Sequence, residues 1–227
     1  MNVVGTRRRF PQRSMTWCCR VRIVGYKLKY LITVLIWTGF GVIHSALISL
    51  QFTNWAKRVM VRYFAFYRLG YNLLSIVLFI ILFSITKSLD SELVINFVPP
   101  WMILQRVLLI TSGVMIIWAF LSYDALEFIG IRQILNIGNK MNSAQPQIIT
   151  KKGLLGMVRH PMNLATIVFM WSLDSTRVDV LVHLILTIYI IIGIWLEERK
   201  LIREFGSAYI EYQREVPALV PFIKKWK

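Results

Sequence analysis

Two short clusters of charged residues stand at the edges of apolar runs, and their side chains suit a charged ligand. Arg159, His160 and Pro161 come directly before one run. Glu197 and Glu198 directly follow another. Proline is favoured in the first turn of a helix, so a helix is expected to begin at Pro161, with free backbone N–H groups beside it. Such a helix start binds anions, and a carboxylate facing it would bind a cation.

This layout of charge matches a ligand that carries a carboxylate together with an ammonium or sulfonium group, as an amino-acid-bearing cofactor does. Adjacent residues point about 100° apart on a helix, so at most one of Glu197 and Glu198 faces the ligand. The other is expected to pair with an arginine. Charged side chains that snorkel to a membrane interface and pair there would give the same pattern. The residues alone leave both interpretations open.

The composition favours a membrane protein over a soluble or nucleic-acid-binding one. The 227 residues are 56% hydrophobic, which exceeds what a soluble core of this size needs, yet the formal net charge is +16. No basic helix or aromatic-interleaved sheet pattern indicates nucleic-acid binding. We interpret the charge as flanking membrane segments that face anionic lipid. The two cysteines, Cys18 and Cys19, are adjacent and imply no disulfide framework, and no pattern of metal ligands is found.

Apolar runs predict an all-α integral membrane protein with about five transmembrane segments. A basic segment, 1–29, precedes a single membrane domain, 30–223. The last two runs are separated by "DSTRVD", so 161–196 is predicted to form a helical hairpin with one half-length arm and a polar turn at 174–179. The hairpin would bring Arg159 and His160 beside Glu197 or Glu198. The runs lie at residues 29–57, 69–86, 101–123, 161–173 and 180–196.

The distribution of lysine and arginine predicts which side of the membrane the charged clusters face. Loop 123–160 and the tail after 196 are rich in cations, whereas loop 89–100 carries Asp90 and Glu92. The positive-inside rule therefore places loop 123–160, the tail and the candidate site in the cytoplasm. The basic segment 1–29 does not fit five crossings that end inside, and its side of the membrane stays open.

Several motifs recur in the order and spacing of a known family. "GLLGMVRHPMNL", followed by "LEERKLIREFGSAYIEYQREVPALVP", resembles the membrane methyltransferases related to isoprenylcysteine carboxyl methyltransferase and phospholipid methyltransferase. Upstream, "HSAL" at 44–47, "YRLGYNLLS" at 67–75 and "YDALEFIGIRQIL" at 123–135 resemble the NnrU-like branch, which includes methanethiol S-methyltransferases. The matching positions in the second half are Arg159-His160-Pro161, Glu197-Glu198-Arg199, Phe205-Gly206, Tyr209, Tyr212, Val216-Pro217 and Pro221.

The resemblance implies S-adenosylmethionine as cofactor, bound without a Rossmann domain by a cofactor half at about 150–221. It implies catalytic roles for Arg159 and Glu198. The family's usual tyrosine after Arg-His-Pro-x is Asn163 here, and its usual glycine two places on is Ala165. The cofactor-binding residues that it implies are Arg159, His160, Pro161, Asn163, Glu197, Glu198 and Tyr212.

The branch that the upstream motifs resemble favours S-methylation of a small thiol or another lipid-soluble substrate. Carboxyl methylation of a prenylated cysteine and N-methylation of a phospholipid are the alternatives within the family. His44 lies inside the first run, and an ionisable residue within a membrane span is a functional candidate. Because histidines of some NnrU-like proteins are linked to haem and to carotenoid isomerisation, an isomerase is an alternative of another class. A non-enzymatic membrane protein is the third.

Overall fold

Helices form nearly all of the structure, a computed structural model that describes residues 13–89, 92–122, 129–135, 151 and 153–221. A short antiparallel pair of strands, Leu93–Ile95 and Ser175–Thr176, joins two of the connections between helices. Val61–Phe66 and Gly153–Gly156 are 3-10 helices. In chain order the elements are α1 (Arg13–Ile48), α2 (Leu50–Met60), α3 (Tyr67–Leu89), β1 (Leu93–Ile95), α4 (Trp101–Ser122), α5 (Ile131–Leu135), α6 (Pro161–Trp171), β2 (Ser175–Thr176), α7 (Arg177–Phe205) and α8 (Ser207–Glu215).

Among the described residues, four helices are long and apolar enough to cross a membrane, which confirms the all-α membrane class. A fifth apolar helix, α6, has only 11 residues. At 1.5 Å per residue it is about 16 Å long, roughly half the hydrocarbon thickness of a bilayer. The short arm expected at 161–173 is therefore present. The four spans are Lys27–Ile48, Tyr63–Leu89, Trp101–Leu121 and Arg177–Phe205.

The first apolar run is divided between two helices. Run 29–57 does not continue as one helix, because α1 ends at Ile48 and α2 begins at Leu50. Between them Ser49 accepts a hydrogen bond on its side chain from Phe52 N at 3.3 Å, which caps the new helix. At its other end α1 extends back to Arg13. The division at 29/30 therefore stays a prediction, and it falls within a continuous helix.

Helices α6 and α7 form the predicted hairpin, with a turn that is shorter than expected. The predicted turn at 174–179 is wrong in its second half, because α7 begins at Arg177. Thr176 caps this helix reciprocally: Asp179 N donates to its hydroxyl at 3.2 Å, and Thr176 N donates to the Asp179 carboxylate at 3.0 Å. Helix α7 also continues past 196 and ends at Phe205, before Gly206, whose φ is 58°.

The two ends of the helix bundle are distinct. At one end, which we call the strand end, Leu93 of β1 pairs with Thr176 of β2, and Lys87 of α3 contacts Asp179 of α7 at 2.8 Å. The opposite end, which we call the site end, contains the start of α3, the start of α6 and the last turns of α7. Helices α3 and α7 therefore run antiparallel between the two ends. This arrangement places the Arg159 and Glu198 clusters at one end of the molecule.

Candidate functional site

Arg159 is the centre of the site, and its side chain is only 1% exposed. Its Nε donates to Glu198 Oε1 at 2.7 Å, and its Nη2 contacts the same oxygen. Its Nη1 donates to the carbonyl oxygens of Gln213, at 3.1 Å, and of Val216. One guanidinium therefore joins the segment before α6, the last turns of α7 and the end of α8. This contact is among the strong hydrogen bonds, because both groups are ionised.

The backbone around Arg159 is held by the segment that follows α8. Arg159 N donates to Pro217 O at 2.9 Å, and His160 N donates to Ala218 O at 3.1 Å. Pro217 favours an extended conformation at the preceding residue, and Val216 has φ −118° and ψ 128°. The Val-Pro pair therefore ends α8 and presents an extended strand of carbonyl groups to the Arg-His-Pro segment.

Glu198 receives donors on both of its carboxylate oxygens. Oε1 accepts from Arg159 and lies 3.3 Å from His160 Nε2. Oε2 accepts from Gln213 Nε2 at 3.0 Å. The Glu198 side chain is 16% exposed, so it is mostly but not fully buried. A carboxylate held in this way has a fixed orientation.

Glu197 lies at the rim of the site and not inside it. Its side chain is 55% exposed, and its Oε2 is 3.5 Å from His160 Nδ1. The prediction that only one of the two glutamates faces the interior is correct. The expectation that the outward one pairs with an arginine is wrong for the described residues: Glu198, the inner glutamate, has the arginine partner. The cause is the 100° step between them, which aims Glu198 at α6 and leaves Glu197 outside.

Helix α6 begins as the sequence predicted. Pro161 occupies its first turn, and His160 precedes it without capping it through its side chain. The first bond into the helix runs from Leu164 N to His160 O at 3.0 Å, so the N–H groups of Met162 and Asn163 precede it. Free N–H groups and the positive end of a helix dipole are the features with which a helix start can bind an anion. Asn163 is half-buried there.

Two tyrosines of α8 form the apolar base of the site. Tyr209 and Tyr212 are buried together with Val216. The Tyr212 hydroxyl donates to Leu155 O at 2.6 Å, which holds the 3-10 helix before the Arg-His-Pro segment against α8. Burial and the nearby Glu198 charge raise the pKa of Tyr209 to about 12. Both tyrosines thus pack beneath the charged groups as an apolar layer. The cofactor contact assigned to Tyr212 stays a prediction.

The structure brings together most of the predicted residues and adds one side chain. Arg159, His160 and Glu198 are in mutual contact, with Pro161 beside them. Gln213 was missed, because no pattern distinguishes one polar residue of a short amphipathic helix from its neighbours. The carbonyl oxygens of residues 216–218 were also missed, although the Val-Pro pair does indicate a chain leaving a helix.

His44, the polar candidate of the first run, lies outside this cluster. Its Nδ1 is 2.9 Å from Ser75 Oγ of α3, and its ring stacks on Phe40 at a centroid distance of 5.8 Å. Tyr189 of α7 approaches its edge at 6.4 Å. Nine residues separate Tyr189 from Glu198, which is two and a half helical turns, so they face opposite sides of α7. His44 therefore belongs to the packing of α1 against α3 and α7.

The fold and the site define an all-α membrane protein with a buried Arg–Glu cluster at one end. Several named proteins are similar to this chain in sequence. The chain is 28% identical over 209 residues to methanethiol S-methyltransferase of Pseudomonas deceptionensis, covering 88% of this chain and 76% of the relative. It is 28% identical over 198 residues to methanethiol S-methyltransferase 2 of Bradyrhizobium diazoefficiens, covering 84% and 73%. A shorter match, 39% identical over 72 residues, joins 30% of this chain to 27% of methanethiol S-methyltransferase of Crocosphaera subtropica.

These similarities confirm the resemblance to the methanethiol S-methyltransferase branch of the membrane methyltransferases. They extend over most of the chain and are not confined to the Arg-His-Pro and Glu-Glu motifs. No protein-family model matches the chain, and no solved structure matches it.

Proposed function

We propose that the protein is a membrane methyltransferase that uses S-adenosylmethionine to methylate the sulfur of a small thiol such as methanethiol. The observation that carries the proposal is the buried contact of Arg159 with Glu198 beside the start of α6. The names of the relatives support it, since the three named above are all called methanethiol S-methyltransferases. The isomerase and non-enzymatic alternatives are not favoured by these relatives.

The residues of the site fit the charges of the cofactor. Its amino-acid portion carries a carboxylate and an ammonium group, and its sulfur is positively charged. The N–H groups of Met162 and Asn163 precede the first helical hydrogen bond and suit the carboxylate. Glu198 Oε2 has Gln213 as its donor and the side chain is not fully buried, which suits the ammonium group. Glu197, at the rim, adds a second negative charge.

In this proposal Arg159 and Glu198 have different roles. Arg159 donates hydrogen bonds to Glu198 and to two carbonyl groups, so it fixes the orientation of the carboxylate and the position of α8. Glu198 and His160 then line the side of the site that receives the ammonium group. Tyr212 holds the 3-10 helix before the Arg-His-Pro segment through its bond to Leu155 O. When bound, S-adenosylmethionine supplies a methyl group that its sulfonium charge already activates. The protein mainly needs to orient the acceptor and to exclude water.

The proposed acceptor is a small thiol, because the named relatives and the upstream motifs share that branch. A small, lipid-soluble thiol can reach the site end from the bilayer. We propose that residues 150–221 are the cofactor half of a domain spanning 30–223. The cations of loop 123–160 and of the tail favour a cytoplasmic site.

Binding of labelled S-adenosylmethionine to the purified protein tests the proposal. We expect saturable binding by the wild type and binding at least ten-fold weaker in Glu198→Gln. Glu204→Gln is the matched control, because Glu204 is on the same helix, is exposed and pairs with Lys200 at 3.6 Å. Equal binding by Glu198→Gln and the wild type would show that the contact of Arg159 with Glu198 is a structural ion pair and not part of a cofactor site. A haem Soret band without cofactor binding would favour the isomerase alternative, and absence of both would favour a non-enzymatic protein.

A second experiment tests the acceptor. Membranes that contain the protein receive labelled cofactor together with methanethiol, a farnesylated cysteine or phosphatidylethanolamine, in parallel. We expect label in dimethyl sulfide. Label in the prenyl ester or the lipid alone would contradict the choice of acceptor and leave the methyltransferase proposal intact.

A further inference from the structure

Arg68, in the first turn of α3, is a cation whose charge is not matched by the described residues. Its Nε is buried and has no hydrogen-bond partner. Its Nη1 donates at 3.2 Å to the side-chain oxygen of Gln133, whose amide nitrogen donates to Gly130 O at 3.1 Å. Among the described residues no carboxylate pairs with Arg68, in contrast to Arg159 and Lys87. A buried donor of a charged group without a partner is costly, so such a group indicates a missing acceptor.

The segment around α5 is fitted closely over this arginine. Gly130 has φ 101°, and a side chain there would meet Arg68 Cβ at 2.9 Å and Leu69 N at 2.8 Å, so only glycine fits. Asn72, one helical turn after Arg68, donates to Ile129 O at 3.0 Å. Contacts from α3 and from the segment around α5 therefore fix the position of Arg68, which is not a surface cation.

Arg68 lies at the same depth in the molecule as Glu198. Lys87 of α3 and Asp179 of α7 are in contact at the strand end. Nineteen residues separate Lys87 from Arg68 along α3, and nineteen separate Asp179 from Glu198 along α7. Both distances along the helix axis are therefore about 28 Å. His44 keeps the helices in register between these levels, since it contacts Ser75 of α3 and the ring of Tyr189 of α7.

We propose that Arg68 is the anion-binding group for the thiolate form of the methyl acceptor. This inference rests on the proposed function. A thiol with a pKa near 8.5 is only a few per cent ionised at neutral pH, so a nearby cation increases the reactive fraction. Arg159 does not suit this role, because Glu198 and two carbonyl groups already occupy it. Arg68 has a free buried donor at the same level.

A thiolate fits this site better than a phosphate group. The segment 129–135 is fitted closely over the arginine, which disfavours a bulky anion. A soft monoanion also loses less hydration than a phosphate when it enters a partly buried site. In the reaction the thiol first releases its proton to solvent. The thiolate electron pair then forms the bond to the methyl carbon, and the cofactor sulfur keeps the electron pair of the bond that breaks.

Thiocyanate, a soft monoanion of similar size, is the probe for this site. Equilibrium dialysis of labelled thiocyanate against the detergent-solubilised protein should show saturable binding that Arg68→Gln weakens about ten- to hundred-fold. Arg106→Gln is the matched control, since Arg106 is exposed and its Nη2 contacts Met102 Sδ at 3.3 Å. Equal binding by Arg68→Gln and the wild type would overturn the anion site.

Steady-state kinetics connect the anion site with the acceptor. Thiocyanate should inhibit the wild type competitively against methanethiol and not against S-adenosylmethionine. Arg68→Gln should raise KM for the thiol about ten-fold or more and leave cofactor binding within two-fold of the wild type, with Arg68→Lys between them. If thiocyanate inhibits the wild type without competing with the thiol, the acceptor role of Arg68 is refuted, and no variant is needed for this result. Thiocyanate binding in a protein without methyl transfer would refute the proposed function and keep the anion site.

Discussion

Helix α7 carries a paired carboxylate near each end, and the two pairs have different surroundings. Asp179 contacts Lys87, whose side chain is 47% exposed, and also caps its own helix with Thr176. Glu198 contacts Arg159, whose side chain is 1% exposed, and lies seven residues before the helix ends. Asp179 thus satisfies the backbone groups of a helix start. Glu198 satisfies no helix end and receives side chains from outside its own helix.

The contacts of the two carboxylates distinguish a structural ion pair, at Asp179, from a candidate binding site, at Glu198. A carboxylate at a helix start is explained by capping and by the helix dipole, so its presence needs no ligand. A partly buried carboxylate in the body of a helix is costly, and donors from two other segments of the chain hold it. The predictions below test whether this difference in surroundings is a difference in function.

The largest effect is expected for Arg159→Ala. The substitution leaves Glu198 without its cation and frees the carbonyl groups of Gln213 and Val216, so it should lower the free energy of unfolding by about 3–5 kcal/mol and abolish cofactor binding. Thermal unfolding in detergent and binding of labelled S-adenosylmethionine measure the two effects. Arg159→Lys should restore part of the stability and little of the binding, since lysine cannot bridge several acceptors with a planar group. Wild-type affinity in the alanine variant would contradict the site.

A paired experiment on α7 separates the two carboxylates. Glu198→Gln should weaken cofactor binding at least ten-fold, because the ammonium group loses its counter-charge. Asp179→Asn should lower stability by about 1–2 kcal/mol, because the bond from Thr176 N to the side chain at 179 is weakened and the contact with Lys87 is lost, with cofactor affinity unchanged. Calorimetry and binding on both variants provide the readout. Equal loss of binding in the two would show that stability of α7, and not the identity of the carboxylate, controls the site.

A smaller effect is expected for Gln213→Ala. This change removes the donor to Glu198 Oε2 and leaves the contacts of Oε1 in place. One neutral hydrogen bond to a charged group corresponds to roughly ten-fold in affinity for the cofactor, with kcat changed less. The test compares KM for S-adenosylmethionine with kcat in Gln213→Ala and in Arg214→Ala, an exposed neighbour on the same helix. A change in kcat alone would contradict an orienting role.

Much of the fold was predictable from the apolar runs, and the misses have physical causes. The run at 180–196 located α7, but charge marks only the limit of the hydrocarbon region, and the helix itself continues until Gly206. Ser49 was not recognised as the end of α1, because no charge or proline accompanies it. Helix ends depend on capping bonds, which single residues form without changing the composition of a run.

The site was predictable to the extent that it depends on charged side chains in motifs. Arg159, His160 and Glu198 were expected together, and they are in contact. The backbone carbonyls that complete the arginine site were not, since every residue has one and only the folded chain selects Val216. Arg68 was also overlooked as a candidate, because its unmatched charge depends on which neighbours the fold provides.

The smallest effect concerns the apolar base of the site at alkaline pH. Burial and the Glu198 charge raise the pKa of Tyr209 to about 12 in the folded protein, above its ordinary value of 10.0. The folded state then holds this proton more tightly than the unfolded chain does, so the contribution to stability is complete below pH 10 and is lost as the pH rises toward 12. Unfolding midpoints measured across this range should fall less in Tyr209→Phe than in the wild type. Tyr63→Phe, a change at an exposed tyrosine, should keep the wild-type slope, and an unchanged slope in Tyr209→Phe would show that the folded protein does not raise the pKa of Tyr209.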